Sequence, residues 1–226
     1  LYEFFIRESA GVDPNDGYLM WYKDVLNESG ESTGERETTK DYGEATRYYL
    51  DKSSLPKMVG GFNANVNYKK FDLSALINFS FGAYVYDRVY ASLMSGFESP
   101  GRNGHPDLTR RWQNVGDQTD VPLLLNAQND FNSTSSRFLF KNNYIRLRGL
   151  NIGYTFDESW MEEYQIQALR VYLQGDNIFT YQSHKGIDPE QAISGLTNYR
   201  SHQMKTFSLG VNPVSYTHLT LPTINW

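Results

Sequence analysis

Leu73-Ser74-Ala75-Leu76-Ile77-Asn78-Phe79-Ser80-Phe81-Gly82-Ala83-Tyr84-Val85 alternates almost without error. The odd positions Leu73, Ala75, Ile77, Phe79, Phe81, Ala83 and Val85 are apolar. Of the even ones, only Leu76 and Tyr84 break the polar or small row. Just upstream the phase is reversed: Gly60, Phe62, Ala64, Val66 and Tyr68 stand at even positions, with Asn63, Asn65 and Asn67 between them. Successive strand side chains point to opposite faces, so each stretch has one apolar and one wet face. Only Lys69, Lys70, Phe71 and Asp72 separate them, which reads as a tight hairpin. Long two-faced strands on short turns are the material of a transmembrane β-barrel.

Composition agrees. The 226 residues carry a net charge of -5 with no basic block, so no nucleic-acid partner is expected. No cysteine is present, which excludes disulfides and thiolate metal sites. Hydrophobic residues make up only 39%, yet aromatics reach 15%, with 17 Tyr and 13 Phe. No apolar run is long enough for a transmembrane helix, but alternating strands escape such a test. The same composition suits a soluble β-sandwich. The chain opens on Leu1 in mid-pattern, so it reads as a fragment lacking its true start.

Strands are expected near residues 1–10, 58–70, 73–85, 138–156, 169–181 and 202–212, with a short helix near 88–95. In 138–156 the apolar parity changes, Ile145 and Leu147 on one phase and Leu150, Ile152, Tyr154 and Phe156 on the other. Gly149 at the switch reads as a β-bulge. The connections at 69–72 and 157–167 are short, whereas 11–55, 86–137 and 182–201 are long and read as loops. Strict alternation of short and long is what periplasmic turns and external loops produce in outer-membrane barrels.

Several segments, in order, resemble the C-terminal part of the SusC/RagA family of TonB-linked outer-membrane proteins. They are Tyr2-Glu3-Phe4-Phe5 through Gly11-Val12-Asp13-Pro14; Leu55-Pro56-Lys57 through Gly60-Gly61-Phe62; Phe138-Leu139-Phe140 through Asn143-Tyr144-Ile145-Arg146-Leu147-Arg148; Leu150-Asn151-Ile152-Gly153-Tyr154-Thr155; Leu169-Arg170-Val171-Tyr172 through Gly175-Asp176-Asn177-Ile178-Phe179-Thr180; Lys185-Gly186-Ile187-Asp188-Pro189-Glu190; and Lys205-Thr206-Phe207-Ser208-Leu209-Gly210. The resemblance implies a plugged barrel of about 22 strands. It implies import of oligosaccharides or peptides under a SusD-like surface lipoprotein, energised by TonB. Residues 1–212 are then the C-terminal portion of the transporter β-barrel, all-β, antiparallel and up-and-down, with about six strands and long extracellular loops. The plug and TonB-contacting region are expected upstream, and the outer membrane is the expected location, its lipid a partner. The stretch from Val214 to Thr223 resembles a translated sequencing adapter, so residues 213–226 are expected to be a non-native tail.

No catalytic set stands out, and neither enzyme activity nor a cofactor is expected. His105, His184, His202 and His218 have no metal-ligand spacing, and Glu162–Glu163 reads as a solvated turn. The segment from Asp13 to Gly17 has its glycine one residue early for an EF-hand. Arg146, Arg148, Arg170 and Asp176 are expected to face the lumen, because Arg facing lipid at mid-depth costs roughly 2–4 kcal/mol. There they pair within the wall or with the plug, or touch passing substrate. Trp21, Tyr22, Tyr90 and Trp112, with Tyr48, Tyr49 and Phe131, mark where substrate or lid meets the loops. The alternatives are a soluble β-rich carbohydrate-binding module and a glycoside hydrolase, the latter requiring a spaced carboxylate pair.

Overall fold

The computed structural model describes residues 2–95, 101, 103–124, 130–157, 166–190, 193–197 and 199–215. Its strands are β1 (Glu3–Arg7), β2 (Ser9–Val12), β3 (Leu19–Leu26), β4 (Ser32–Thr39), β5 (Arg47–Ser53), β6 (Met58–Tyr68), β7 (Phe71–Phe81), β8 (Tyr84–Tyr86), β9 (Leu139–Lys141), β10 (Tyr144–Phe156), β11 (Ile166–Gln182) and β12 (Thr206–Ser215). One α-helix, α1 (Arg88–Leu93), follows β8. No helix among the described residues is long and apolar enough to cross a membrane. The chain divides into two compact units. One gathers Leu1–Met58, Phe81–Asn143 and Ser183–Ser201, and the other Val59–Ser80, Tyr144–Gln182 and His202–Trp226.

The second unit is a five-stranded sheet in the order β12-β11-β10-β7-β6. Its strands follow one another along the chain, and the β7–β10, β10–β11 and β11–β12 ladders are antiparallel, as an up-and-down barrel wall requires. The hairpin turn narrows to Lys69-Lys70, with Lys69 in the left-handed region at φ 54°. This short turn sets the register. Gly60 comes to lie under the Phe79 ring and Gly61 beside Asn78, which joins the even apolar row of β6 to the odd one of β7. Leu73 pairs with Ile152, Ile152 with Leu173, and Leu173 with Leu209, so one apolar row crosses four strands. These four residues are 37%, 43%, 50% and 75% exposed, whereas Ser80 and Arg146 on the opposite face are 7% and 2% exposed. The sheet therefore turns its apolar face outward, the reverse of a water-soluble sandwich.

The bulge expected at Gly149 is present. Leu147 pairs with Ile77 and Gly149 with Leu76, leaving Arg148 as the extra residue on β10. Between Leu147 and Leu150, β10 takes three steps where β7 goes from Ile77 to Ala75 and β11 from Phe179 to Gly175. The parity change in β10 is thereby cancelled, and both its apolar rows stay on one face. Asn177, at φ 53°, absorbs the excess on β11.

Several expected boundaries are corrected. The segment 73–85 is broken at Gly82, φ 86°, whose N–H donates to Asn143 Oδ1 at 2.7 Å. The segment 138–156 is likewise split, and β9 pairs with β8 rather than joining the large sheet. The first strand, expected within 1–10, gives β1 and β2. β1 pairs β5, so it is five of the six expected strands that form the sheet. The last strand is shifted to Thr206–Ser215, and Pro213 and Val214 stay paired with Leu169 and Ala168. Residues 216–226, most of the 157–167 turn and Glu162–Glu163 lie outside the described residues.

The long connections are not bare loops. The segment 11–55 contains most of a three-stranded sheet, β2-β3-β4, together with β5. Alternation in β3 buries Leu19 and Trp21, which pack with Ala45 and Phe131 into a small core. A second core joins Phe4, Tyr86, Ala91, Met94, Leu108 and Phe138 from stretches far apart in the chain. Asp87 caps α1 by accepting from the Val89 and Tyr90 N–H groups. Its carboxylate also accepts from Thr197 Oγ1 at 3.1 Å and lies 2.8 Å from His184 Nε2, while His184 stacks on Phe140. One buried carboxylate thus ties the 183–197 segment to the helix.

Candidate functional site

The wet face of the sheet is built from registered rows. Asn78, Arg146 and Thr180 form one; Leu76, Gly149 and Asp176 the next; then Ser74, Asn151, Gln174 and Ser208; then Asp72, Gly153, Tyr172 and Gly210. Arg170 stands opposite Thr155 and reaches along the face to Asp72. Its Nε and Nη2 meet the two carboxylate oxygens at 2.8 and 2.5 Å, and Nη2 also donates to Asn151 Oδ1 at 2.7 Å. A planar fork on a carboxylate fixes orientation as well as charge. The guanidinium passes directly over Gly153, where a Cβ would overlap both Arg170 and Asp72. Tyr172, 4.9 Å below the guanidinium, lies over Gly210 in the same manner. Two glycines thus make room for one ion pair and its aromatic support.

The four expected lumen residues all lie in this unit but do not form one cluster. Arg146 donates to Thr180 Oγ1 at 3.1 Å, and Arg148, displaced by the bulge, donates to Gln203 Oε1 at 2.6 Å. Asp176 accepts from Gln174 Nε2 at 3.2 and 3.3 Å. Arg170 is held by Asp72 rather than Asp176. Sequence reasoning passed over Asp72 as a turn residue, and Asn151 and Gln174 as generic polar positions. The available signal was the glycine at 153, one row from a strand arginine. A depression of about 400 Å³ opens beside the ion pair, bordered by Asn63, Ser74, Leu76, Asn151, Arg170 and Gln174.

The loop aromatics lie in the other unit. Trp21 is 1% exposed and packs edge-on against Tyr42. Trp112 is nearly buried over Gly17, its Nε1–H donating to Pro14 O at 3.1 Å. Tyr22 is half-buried on β3, paired with Thr38. Tyr90 packs on the larger core and donates to Asp107 at 2.8 Å. Burial, aided by the Asp107 charge, pushes the Tyr90 phenol up to about 12. The Tyr90 hydrogen bond and the nearby Arg110 hold Asp107 below its ordinary value. Burial brings the Arg137 guanidinium down to about 10. As placed, these rings organise the loops, with Tyr22 and Tyr90 retaining accessible edges. No group of metal ligands occurs among the described residues.

No family model matches the chain. It is similar to the TonB-dependent receptor P3 of Formosa agariphila, 28% identical over 168 residues, which is 70% of this chain and 16% of that protein. It is also similar to the TonB-dependent receptor SusC of Bacteroides thetaiotaomicron, 27% identical over 73% of the chain and 16% of that protein. The chain thus spans about one sixth of the length of these curated relatives. Among solved structures, the RagAB peptide transporter superposes with TM-score 0.73 at 25% identity, covering 93% of this chain and 22% of that one. The RagAB peptide importer in its open-open state gives the same TM-score and identity.

Proposed function

We propose, for a chain that is a SusC/RagA-like segment of a TonB-dependent receptor, that it supplies part of the wall and the outer loops of an outer-membrane importer of glycans or peptides. The observation that carries this reading is the inverted sheet. Its apolar row from Leu73 to Leu209 is exposed while Arg146 and Ser80 opposite are covered. Lipid covers such a row at no polar cost, and an aqueous lumen receives the charged face. The wall is passive. It presents Arg146, Arg148, Arg170 and Asp176 to the conduit, while the long segments carrying Trp21, Tyr22, Tyr90 and Trp112 face the exterior, substrate and lid. Those rings stiffen the loops, and the contacts are made by their accessible edges and neighbours. The partners of this reading are a SusD-like surface lipoprotein and, through a plug, TonB. In it, the stretch from Val214 to Trp226 is not native.

The related proteins are receptors and importers by name, which gives the soluble carbohydrate-binding module no support and assigns no catalysis. The test is whole-cell uptake of labelled oligosaccharides and peptides after deletion of the full-length receptor. Loss of uptake, restored by complementation, is expected. Unchanged uptake of every substrate overturns the reading.

A further inference from the structure

Leu76 is the one large apolar residue of β7 on the wet face, and it is 42% exposed. Its partner on β10 is Gly149, which has no side chain to cover it. Around it stand Asn63, Ser74, Asn151 and Gln174, bordering the 400 Å³ depression. Among the described residues, the side chains of Asn63 and Ser74 form no hydrogen bond. Asn151 uses only its oxygen and Gln174 only its nitrogen. Arg170 spends Nε and Nη2 on Asp72 and Asn151, leaving both Nη1 hydrogens without a partner among the described residues.

An apolar platform inside a ring of unspent amide donors and acceptors is a specific chemical demand. Among the described residues, the cation of the lining is Arg170, and Asp72 compensates its charge. Asp176, bonded to Gln174, adds a negative charge at the edge. Anions are thereby disfavoured, and a neutral ligand with an apolar face and peripheral hydroxyls fits. Pockets that hold small ligands start at roughly 300 Å³. We propose that this depression is a binding station for a neutral glycan, one sugar ring lying on Leu76 with its hydroxyls on Asn63, Asn151, Gln174 and the open edge of Arg170. The station rests on the import reading and narrows it to a substrate class.

The test is calorimetric titration of the full-length receptor in detergent. The probes are maltoheptaose, xylohexaose and mannohexaose as neutral glycans, trigalacturonate as an acidic one, and a mixed oligopeptide pool. Leu76→Asn and the pair Asn63→Ala with Gln174→Ala are compared with the outward-facing Leu173→Ala. At least one neutral glycan is expected to bind, about ten-fold more weakly in both pocket variants and unchanged in Leu173→Ala. Glycan affinity that both pocket variants leave unchanged overturns the station. Binding of only trigalacturonate or peptides, or of none of the probes, does the same. A lowered melting temperature with unaltered affinity assigns the depression to packing and also overturns it. Failure of the import reading is distinct: cells deleted for the receptor then take up every substrate as before.

Discussion

Arg170 crosses the face of Gly153 to grip both carboxylate oxygens of Asp72, 98 residues away in the chain. Three neighbouring strands, β7, β10 and β11, are pinned by this contact, which exists only because the middle strand has no side chain there. Gly153→Val in the full-length receptor is expected to displace the guanidinium and cost about 1–3 kcal/mol. Asp72→Ala, which leaves Arg170 without its counter-charge, is expected to lower stability by less than Gly153→Val does. Denaturant titration of refolded protein in lipid vesicles measures both. Wild-type stability in Gly153→Val removes the ion pair from the wall's design.

The apolar row makes a directional prediction about neighbours. Leu173 and Gln174 are adjacent on β11 but project to opposite faces. Leu173→Arg is expected to lose roughly 2–4 kcal/mol at mid-depth, and Gln174→Arg much less. Equal losses in lipid refolding contradict the assignment of faces.

Topology is open to labelling because the chain has no native cysteine. Cysteine at Ser194 is expected to react with an impermeant thiol reagent on intact cells, and cysteine at the Lys69 turn is not. Reaction at Lys69 alone inverts the orientation.

The loop unit should be alkali-sensitive through Tyr90. Its phenol is raised from 10.0 to about 12, so the neutral form is favoured by folding. That contribution is complete below pH 10 and is lost as pH rises toward 12, where folded Tyr90 ionises. Thermal melts of the full-length receptor across this window should show a fall that Tyr90→Phe reduces. Ultraviolet phenolate absorbance should show a late-titrating tyrosine that the variant lacks.

Asp87 predicts a local rather than global response. Asp87→Ala removes the helix cap and the acceptor for Thr197 and His184, costing about 1–3 kcal/mol. Amide exchange is expected to quicken at Tyr86 and Thr197, whose backbones bond the 193–197 segment to β8, and to stay unchanged in β10 and β11.

Strand periodicity alone carried the sheet. The rows of β6, β7, β11 and β12, the tight turn at Lys69-Lys70 and the bulge before Gly149 follow from side-chain alternation, which is a local property. The grouping of chain by length was legible too: the three long stretches are the ones that gather into a unit of their own. What that unit contains was not legible. Its strands are short, and its cores draw Phe4, Leu108 and Phe138 from distant stretches, so no local window shows the pattern. The breaks at Gly82 and Asn143 likewise depend on a hydrogen bond between residues 61 apart. For the wet face, alternation puts Arg170 opposite the apolar row, and the cost of a charge in lipid is the reason to expect it in a lumen. Tertiary structure alone chose Asp72 over Asp176 as its partner. Register brings Asp72 two strands away within reach, and the missing Cβ of Gly153 leaves the path between them open.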